Sequence, residues 1–240
     1  NHKKYMKSSA KKCITPIIIT YNSSSQILKL LKSLDYSNNA ELISKIVVIE
    51  NNSPDKLITQ QMINNYKSPH QIKIQFILSN ENIGFAKGCN KGAKLAKSKY
   101  ILFINPDSEL KKDSLQILLS HAKDEMADFI GGTTVKLDGQ IHHTVVRHPT
   151  LPIGLLEFTN IGKIFGILSG HQQFYYEDIQ IFKSKVDMVV EALGGAYLLA
   201  KLISFNQLQG FDEDFFMYLE DVDIGFRAQK AGMKIVFCPH

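Results

Sequence analysis

The sequence predicts an α/β protein: a mixed, mostly parallel central sheet with helices on both faces. Three observations predict it. Short apolar runs rich in β-branched residues recur at 16–20, 46–49, 74–78 and 100–104. Helical patterns lie between them. Each run ends in polar turn residues. Uninterrupted apolar strands of this length are buried on both faces, and alternation with helices makes the sheet at least partly parallel.

Each element has its own reason. Pro16-Ile17-Ile18-Ile19-Thr20 reads as the first buried strand, and Tyr21 to Ser25 as a turn with helix-capping residues. Ile27, Leu28, Leu30, Leu31 and Leu34 then share one helical face. Ile46-Val47-Val48-Ile49 is the second strand and 74–78 the third. Tyr100-Ile101-Leu102-Phe103-Ile104 is the fourth. Helices are expected over 57–66, 85–97 and 114–123, with another strand over 128–135. After a looser region, strands resume at 186–190 and 195–200, followed by a helix at 221–231 and a last strand at 234–237.

In open α/β sheets ligands bind beyond the carboxyl ends of the strands. Here those ends carry Tyr21-Asn22, Glu50-Asn51, Asn80-Glu81-Asn82 and Asn105-Pro106-Asp107. Any one of them is explained equally well as a turn. Four on one edge fit a nucleotide site. Gly84, Gly88 and Gly92 recur every fourth residue, along one helical face. Each lowers helix stability by about 1 kcal/mol against alanine, so something comes close to that face. A neighbouring strand is one candidate; a ligand over the helix start, touching Asn82 and Asn90, is the other. Neither the dinucleotide fingerprint nor the phosphate loop ending in Gly-Lys-Ser/Thr is present.

The stretch 211–223 holds six carboxylates and four aromatic rings in thirteen residues. Charges resist burial unless paired, and rings resist exposure. Such a segment suits the wall of a pocket that handles a cation or a proton. Acids also favour the first turn of a helix, and Asp223 stands four residues before Arg227. Asp223 therefore reads as helix support, and Asp212 and Glu213 as loop-shaping.

Composition excludes several classes. Net charge is +5, and Arg147 and Arg227 are the only arginines, which argues against nucleic-acid binding. Cys13, Cys89 and Cys238 form neither a disulfide framework nor a zinc spacing, which favours a reducing, cytoplasmic setting. No run is apolar and long enough to span a bilayer. Residues 1–13 read as a Lys-rich, tag-like tail that could touch an anionic membrane. The apolar 151–168 stretch suits a lid, an acceptor surface, an interfacial segment or core packing. His142, His143, Arg147 and His148 are scattered without a metal-ligand spacing and read first as solvated loop residues, with His143 or Arg147 as the alternative acceptor contact.

Taken in order, these motifs carry a resemblance. They are Ile19-Thr20-Tyr21-Asn22, Glu50-Asn51-Asn52-Ser53, Asn82-x-Gly84-Phe85-Ala86-x-Gly88-x-Asn90, Asn105-Pro106-Asp107, Gly194-Gly195 and 211–223. The chain resembles family 2 glycosyltransferases of the GT-A fold, in the rhamnosyltransferase-like branch, over nearly all of 14–239. The resemblance implies a single GT-A domain over 14–240, with 14–110 the nucleotide-binding half and 111–240 the acceptor-binding half. It implies a nucleotide-sugar site made of Thr20, Tyr21, Asn22, Glu50, Asn51, Asn82, Gly84, Phe85, Asn90, Asn105, Pro106 and Asp107. It implies Mg²⁺ or Mn²⁺ on Asp107, and Asp221 with Glu220 as the proton-handling pair. Gly194, Gly195, Phe215 and Tyr218 are expected beside donor sugar and acceptor. The implied reaction is inverting, metal-dependent transfer from a nucleotide-diphosphate sugar, dTDP-rhamnose first, to a glycan or lipid-linked acceptor at the inner face of the membrane. Alternatives are a UDP-sugar donor (galactofuranose or N-acetylglucosamine) and a non-catalytic nucleotide-binding module.

Three departures stand out. Glu50 replaces the usual aspartate, and Asn105-Pro106-Asp107 replaces Asp-x-Asp. His240 comes early for the histidine that follows the family's last strand, which suggests a chain truncated at its C-terminus.

Overall fold

The structure, a computed structural model, describes residues 12–136, 138–142, 144–148, 182 and 184–240. The first half alternates strand and helix: β1 (Ile14–Thr20), α1 (Ser24–Leu34), α2 (Ser37–Ala40), β2 (Ile46–Glu50), α3 (Lys56–Asn65), β3 (Ile74–Leu78), α4 (Gly84–Ala93), β4 (Tyr100–Ile104) and α5 (Ser114–Asp124). The second half is richer in strands. It contains β5 (Phe129–Gly132), β6 (Thr134–Val135), β7 (Ile141–His142), β8 (Val145–Val146), β9 (Met188–Val189), β10 (Ala192–Leu193) and β11 (Tyr197–Lys201). It closes with α6 (Leu202–Gln207), α7 (Glu220–Lys230) and β12 (Ile235–Cys238).

Eight strands form one sheet in the order β3-β2-β1-β4-β11-β5-β12-β9. β3, β2, β1 and β4 are parallel neighbours. β11 runs antiparallel between β4 and β5, and β12 is parallel to β5. The carboxyl ends of β1, β2, β3, β4, β5 and β12 therefore share one edge. Both halves of the chain build this one sheet. β1, β2 and β4 are buried along their whole length, as uninterrupted apolar strands must be.

Alternate residues feed two apolar layers. On one face Ile14, Ile18, Val48, Leu102, Leu199 and Val236 pack on α1 and α5 through Leu30, Leu31 and Leu118. On the other, Ile17, Ile19, Phe103, Leu198 and Phe237 pack on α4 through Ala86, Cys89 and Ala93, together with Phe205 and Phe211. The glycines of α4 let that helix lie close. A Cβ at Gly92 would meet Ile17 Cγ2 at 2.4 Å, and one at Gly88 would meet Ile19 at 3.1 Å. Packing, the first of the two explanations for the four-residue spacing, accounts for both.

The predicted elements are present with shifted ends. α4 stops at Ala93 rather than 97, and the short α2 and α6 and the small β6–β7 and β8–β10 pairs were not anticipated. The 1–13 tail up to residue 11, His143 and the whole 151–168 stretch lie outside the described residues. No helix among the described residues is long and apolar enough to cross a membrane.

Candidate active site

The loop between α6 and α7 is fixed at its base and open at its tip. Phe211 is buried against Phe103, Phe205 and Phe85, with ring centroids 5.0, 5.3 and 6.3 Å away. The Asn90 side chain holds Phe211 from both sides: its Oδ1 accepts the Phe211 amide at 2.9 Å, and its Nδ2 donates to the Phe211 carbonyl at 2.8 Å. Arg227 donates to the carbonyls of Leu208 and Gly210 while pairing with Asp223 at 2.6 Å. Gly210 has φ +80°, and a Cβ there would lie 2.4 Å from Asn90 Oδ1. Beyond this anchor Phe216, Met217, Tyr218 and Leu219 are exposed. Tyr218 and Leu219 sit consecutively in the left-handed region, at φ 71° and 69°. Non-glycine residues adopt it at a cost of order 1 kcal/mol or more each, which marks the entry to α7 as strained.

The start of α4 meets this loop. The Phe85 amide donates to the Phe216 carbonyl at 2.7 Å. Gly84 has φ +79°, and a Cβ there would fall 2.4 Å from the same carbonyl oxygen. Asn51, at the end of β2, donates to the Gly84 carbonyl at 3.0 Å, and Asn82 accepts the Gly84 amide at 3.0 Å.

α7 then presents two carboxyls. Asp221 Oδ2 accepts the Gly195 amide at 2.9 Å and Oδ1 its neighbour Val222's amide at 2.9 Å. Burial pushes the Asp221 carboxyl above its ordinary value, against the pull of these amides. Glu220 is 4% exposed, and its Oε2 is buried without a hydrogen-bond partner. Burial first, and the Asp221 charge second, push Glu220 up to about 7. A Cβ on Gly195 would stand 3.3 Å from the Phe85 ring and 3.8 Å from Asp221 Cβ. The next carbonyl, Ala196, accepts the Asn105 amide at 3.1 Å. A continuous chain of contacts thus runs from Asn51 through Gly84, Phe85, Gly195 and Asp221 to Asn105.

Asp107 follows two residues later and is exposed, with no hydrogen bond or ion pair among the described residues. An exposed carboxylate two residues beyond an asparagine offers hard-oxygen donors at this strand end. It suits a divalent ion that completes its shell with phosphate and water. Tyr21 and Asn22 are exposed just past β1, and Pro106, Phe215 and Gly194 are partly exposed.

Several expected ligand contacts face inward instead. Thr20 is fully buried, and its hydroxyl donates to the Ile49 carbonyl. Glu50 is fully buried and accepts both the amide and the hydroxyl of Ser53. Asn90 is occupied by Phe211 and by the Glu213 carboxylate. A buried polar group is held by whichever partners surround it, and these three found theirs inside the protein. They shape the site without lining it. Sequence reasoning missed the Phe216 carbonyl and Ser53. The glycine at position 84 was the one signal for the former.

Comparison with known proteins decides what this site belongs to. The sequence profile of glycosyl transferase family 2 matches residues 15–186. The chain belongs to that family. It is 27% identical over 229 residues to rhamnosyltransferase WbbL of Escherichia coli K12, covering 93% of this chain and 79% of that protein. It is 24% identical over 239 residues to the N-acetylglucosaminyl-diphospho-decaprenol L-rhamnosyltransferase of Mycobacterium tuberculosis, covering 94% and 74%. The protein is therefore a glycosyltransferase of rhamnosyltransferase-like sequence. Among solved structures it resembles Staphylococcus aureus TarS 1–349 in complex with UDP, with TM-score 0.63, 17% identity and 95% and 58% of the two chains covered. It also resembles GalNAc-T7 with UDP, GalNAc and Mn²⁺, with TM-score 0.69, 12% identity and 95% and 42% covered. The fold is GT-A, as the sequence resemblance implied.

Proposed function

We propose that this glycosyltransferase moves a sugar, rhamnose from dTDP-rhamnose in the first instance, to a hydroxyl of a lipid-linked or polysaccharide acceptor, with inversion at the anomeric carbon. The observation that carries this reading is the convergence of Asp221 on the Gly194–Ala196 segment and, through it, on the carboxyl end of β4. That puts a carboxylate of raised proton affinity beside the polar ends where a nucleotide diphosphate fits the fold. The names of the two relatives, both rhamnosyltransferases, support rhamnose as the sugar. The lipid-diphosphate acceptor in the name of the mycobacterial relative supports the acceptor class, and with it action at a membrane.

In this reading the exposed Tyr21 and Asn22 border the nucleotide, and the buried Asn51 holds the Gly84 carbonyl. Asp107 and Asn105 would hold Mg²⁺ or Mn²⁺, which supplies charge neutralisation at the leaving diphosphate. Asp221 accepts the proton of the acceptor hydroxyl as that oxygen attacks the anomeric carbon and the bond to the diphosphate breaks. The Gly195 amide orients the carboxylate. A single base with direct displacement inverts the centre, unlike a retaining glycosidase with its second carboxylate as nucleophile. Phe215 and Tyr218 flank the sugar, and the exposed 216–219 tip faces the acceptor.

A panel of nucleotide sugars with Mn²⁺, read by donor hydrolysis and thermal shift, tests this. dTDP-rhamnose should raise the melting temperature and be hydrolysed fastest. Preference for a UDP-sugar would move the donor assignment. Failure of every dTDP and UDP donor in both assays would overturn the transfer reading.

A further inference from the structure

On the sheet face opposite Phe211 lies a second group of ligating side chains that the transfer reaction does not use. His121 comes from α5, Asp187 immediately precedes β9, and Cys238 ends β12. β9 and β12 pair antiparallel with Met188 opposite Phe237, which sets Asp187 beside Cys238. One ligating atom from each of the three residues lies within 4.8 Å of the other two, and no other such trio occurs among the described residues. Cys238 belongs to the apolar layer under α5, whereas its neighbour Phe237 points to the Phe211 side.

The Asp187 carboxylate is the unusual member. Its side chain is 8% exposed, and its ion-pair partner among the described residues is His121, Nδ1 to Oδ2 at 2.5 Å. Its other oxygen, Oδ1, is buried and makes no hydrogen bond of ordinary geometry, and the carboxylate stands against the Cys238 thiol, which burial first and Asp187 second push up to about 12. A buried carboxylate with an oxygen this poorly satisfied is costly unless a cation completes it. A thiol, an imidazole and a carboxylate are the donor set of zinc-type ions, not of Mg²⁺ or Mn²⁺. Zinc bonds of about 2.0–2.3 Å place tetrahedral ligands roughly 3.3–3.8 Å apart, within the spread found here. The exposed His240 ring stacks over His121 with centroids 4.8 Å apart.

We propose that His121, Asp187 and Cys238 form a zinc-type metal site that clamps α5 and the β9 edge of the sheet onto β12, separate from the Asp107 site. The ion replaces the present hydrogen bond between His121 and Asp187, takes a ligand from each residue, and leaves one position for water.

The test uses the purified chain, freed of metal and titrated with Co²⁺ and then Zn²⁺. One equivalent of Co²⁺ should give a thiolate-to-cobalt charge-transfer band, and Zn²⁺ should displace it and raise the melting temperature. Cys238→Ser should abolish the band. Asp187→Asn, which keeps the shape, should weaken Co²⁺ binding at least about tenfold by removing a charged ligand. Asp107→Ala should leave the band intact. The proposal is overturned if no band appears, or if Cys238→Ser keeps it in full so that Cys13 or Cys89 is its source. It is likewise overturned if Zn²⁺ stabilises the wild type and Asp187→Asn equally.

Discussion

Glu220 and Asp221 are neighbours in sequence but meet different surroundings. Asp221 is partly exposed and accepts a loop amide; Glu220 is sealed beneath it with one oxygen unpartnered. Their titrations should separate accordingly. Asp221 acts as a base once it has lost its proton, so transfer rates should rise with pH through an acid limb lying above the ordinary aspartate range. Asp221→Asn should lower kcat by about 10²-fold or more, with nucleotide binding by thermal shift retained; full activity in that variant would remove Asp221 from the mechanism. Glu220 bears on stability. Its folded value, about 7, exceeds its ordinary 4.5, so the folded state holds a proton that the unfolded state releases. Stability should therefore fall as pH rises from 4.5 towards 7, by at most about 3 kcal/mol. Glu220→Gln should lose this slope in unfolding curves taken across that range; an unchanged slope would assign it to another group.

At the scale of elements, the loop preceding α7 depends on side chains from other elements. Asn90 on α4 meets three of its hydrogen-bonding needs, two of them on the Phe211 backbone. Asn90→Ala should cost about 3 kcal/mol, lowering Tm by about 10 °C, because it leaves buried backbone groups of Phe211 unpaired. Arg227 holds two carbonyls and Asp223 through a planar fork that a lysine ammonium cannot match. Arg227→Lys should keep the fold but loosen the 211–219 loop, raising KM for the acceptor; unchanged acceptor kinetics would show that the loop does not depend on this clamp. The Asp223–Arg227 pair itself was legible from its four-residue spacing. The two carbonyl contacts were not, since Leu208 and Gly210 are remote in the helical pattern.

At the scale of the molecule, the two halves of the chain share one sheet, and the candidate site lies where they join. β11, from the second half, inserts beside β4 from the first. This insertion brings Gly195 and Ala196 to the end of β4 and so joins Asp221 to Asn105. Donor hydrolysis should disappear with a chelator and return with Mn²⁺. Asp107→Ala should raise the Mn²⁺ concentration needed for half activity at least tenfold, on the order of one lost charged ligand. Unaltered metal demand in that variant would remove Asp107 from the metal site.

The strands, most helices, the polar strand ends and the acidic, aromatic stretch before α7 follow from sequence alone. Apolar period and turn chemistry are local properties, readable a few residues at a time. Local pattern could not say which polar groups at those ends face outward. Glu50 and Asn90 look as ligand-like in sequence as Asp107 does, yet they are buried and bonded to Ser53 and Phe211. The separation of His121, Asp187 and Cys238 likewise hid their meeting, because no spacing rule applies across α5, β9 and β12. Tertiary structure decided these points, since partners for a buried polar group are chosen by what the folded chain brings within hydrogen-bonding distance. For the stretch 211–223, sequence supplied the acids and rings, and the fold turned Phe211 into the core, left 216–219 exposed, and set Asp221 against Gly195.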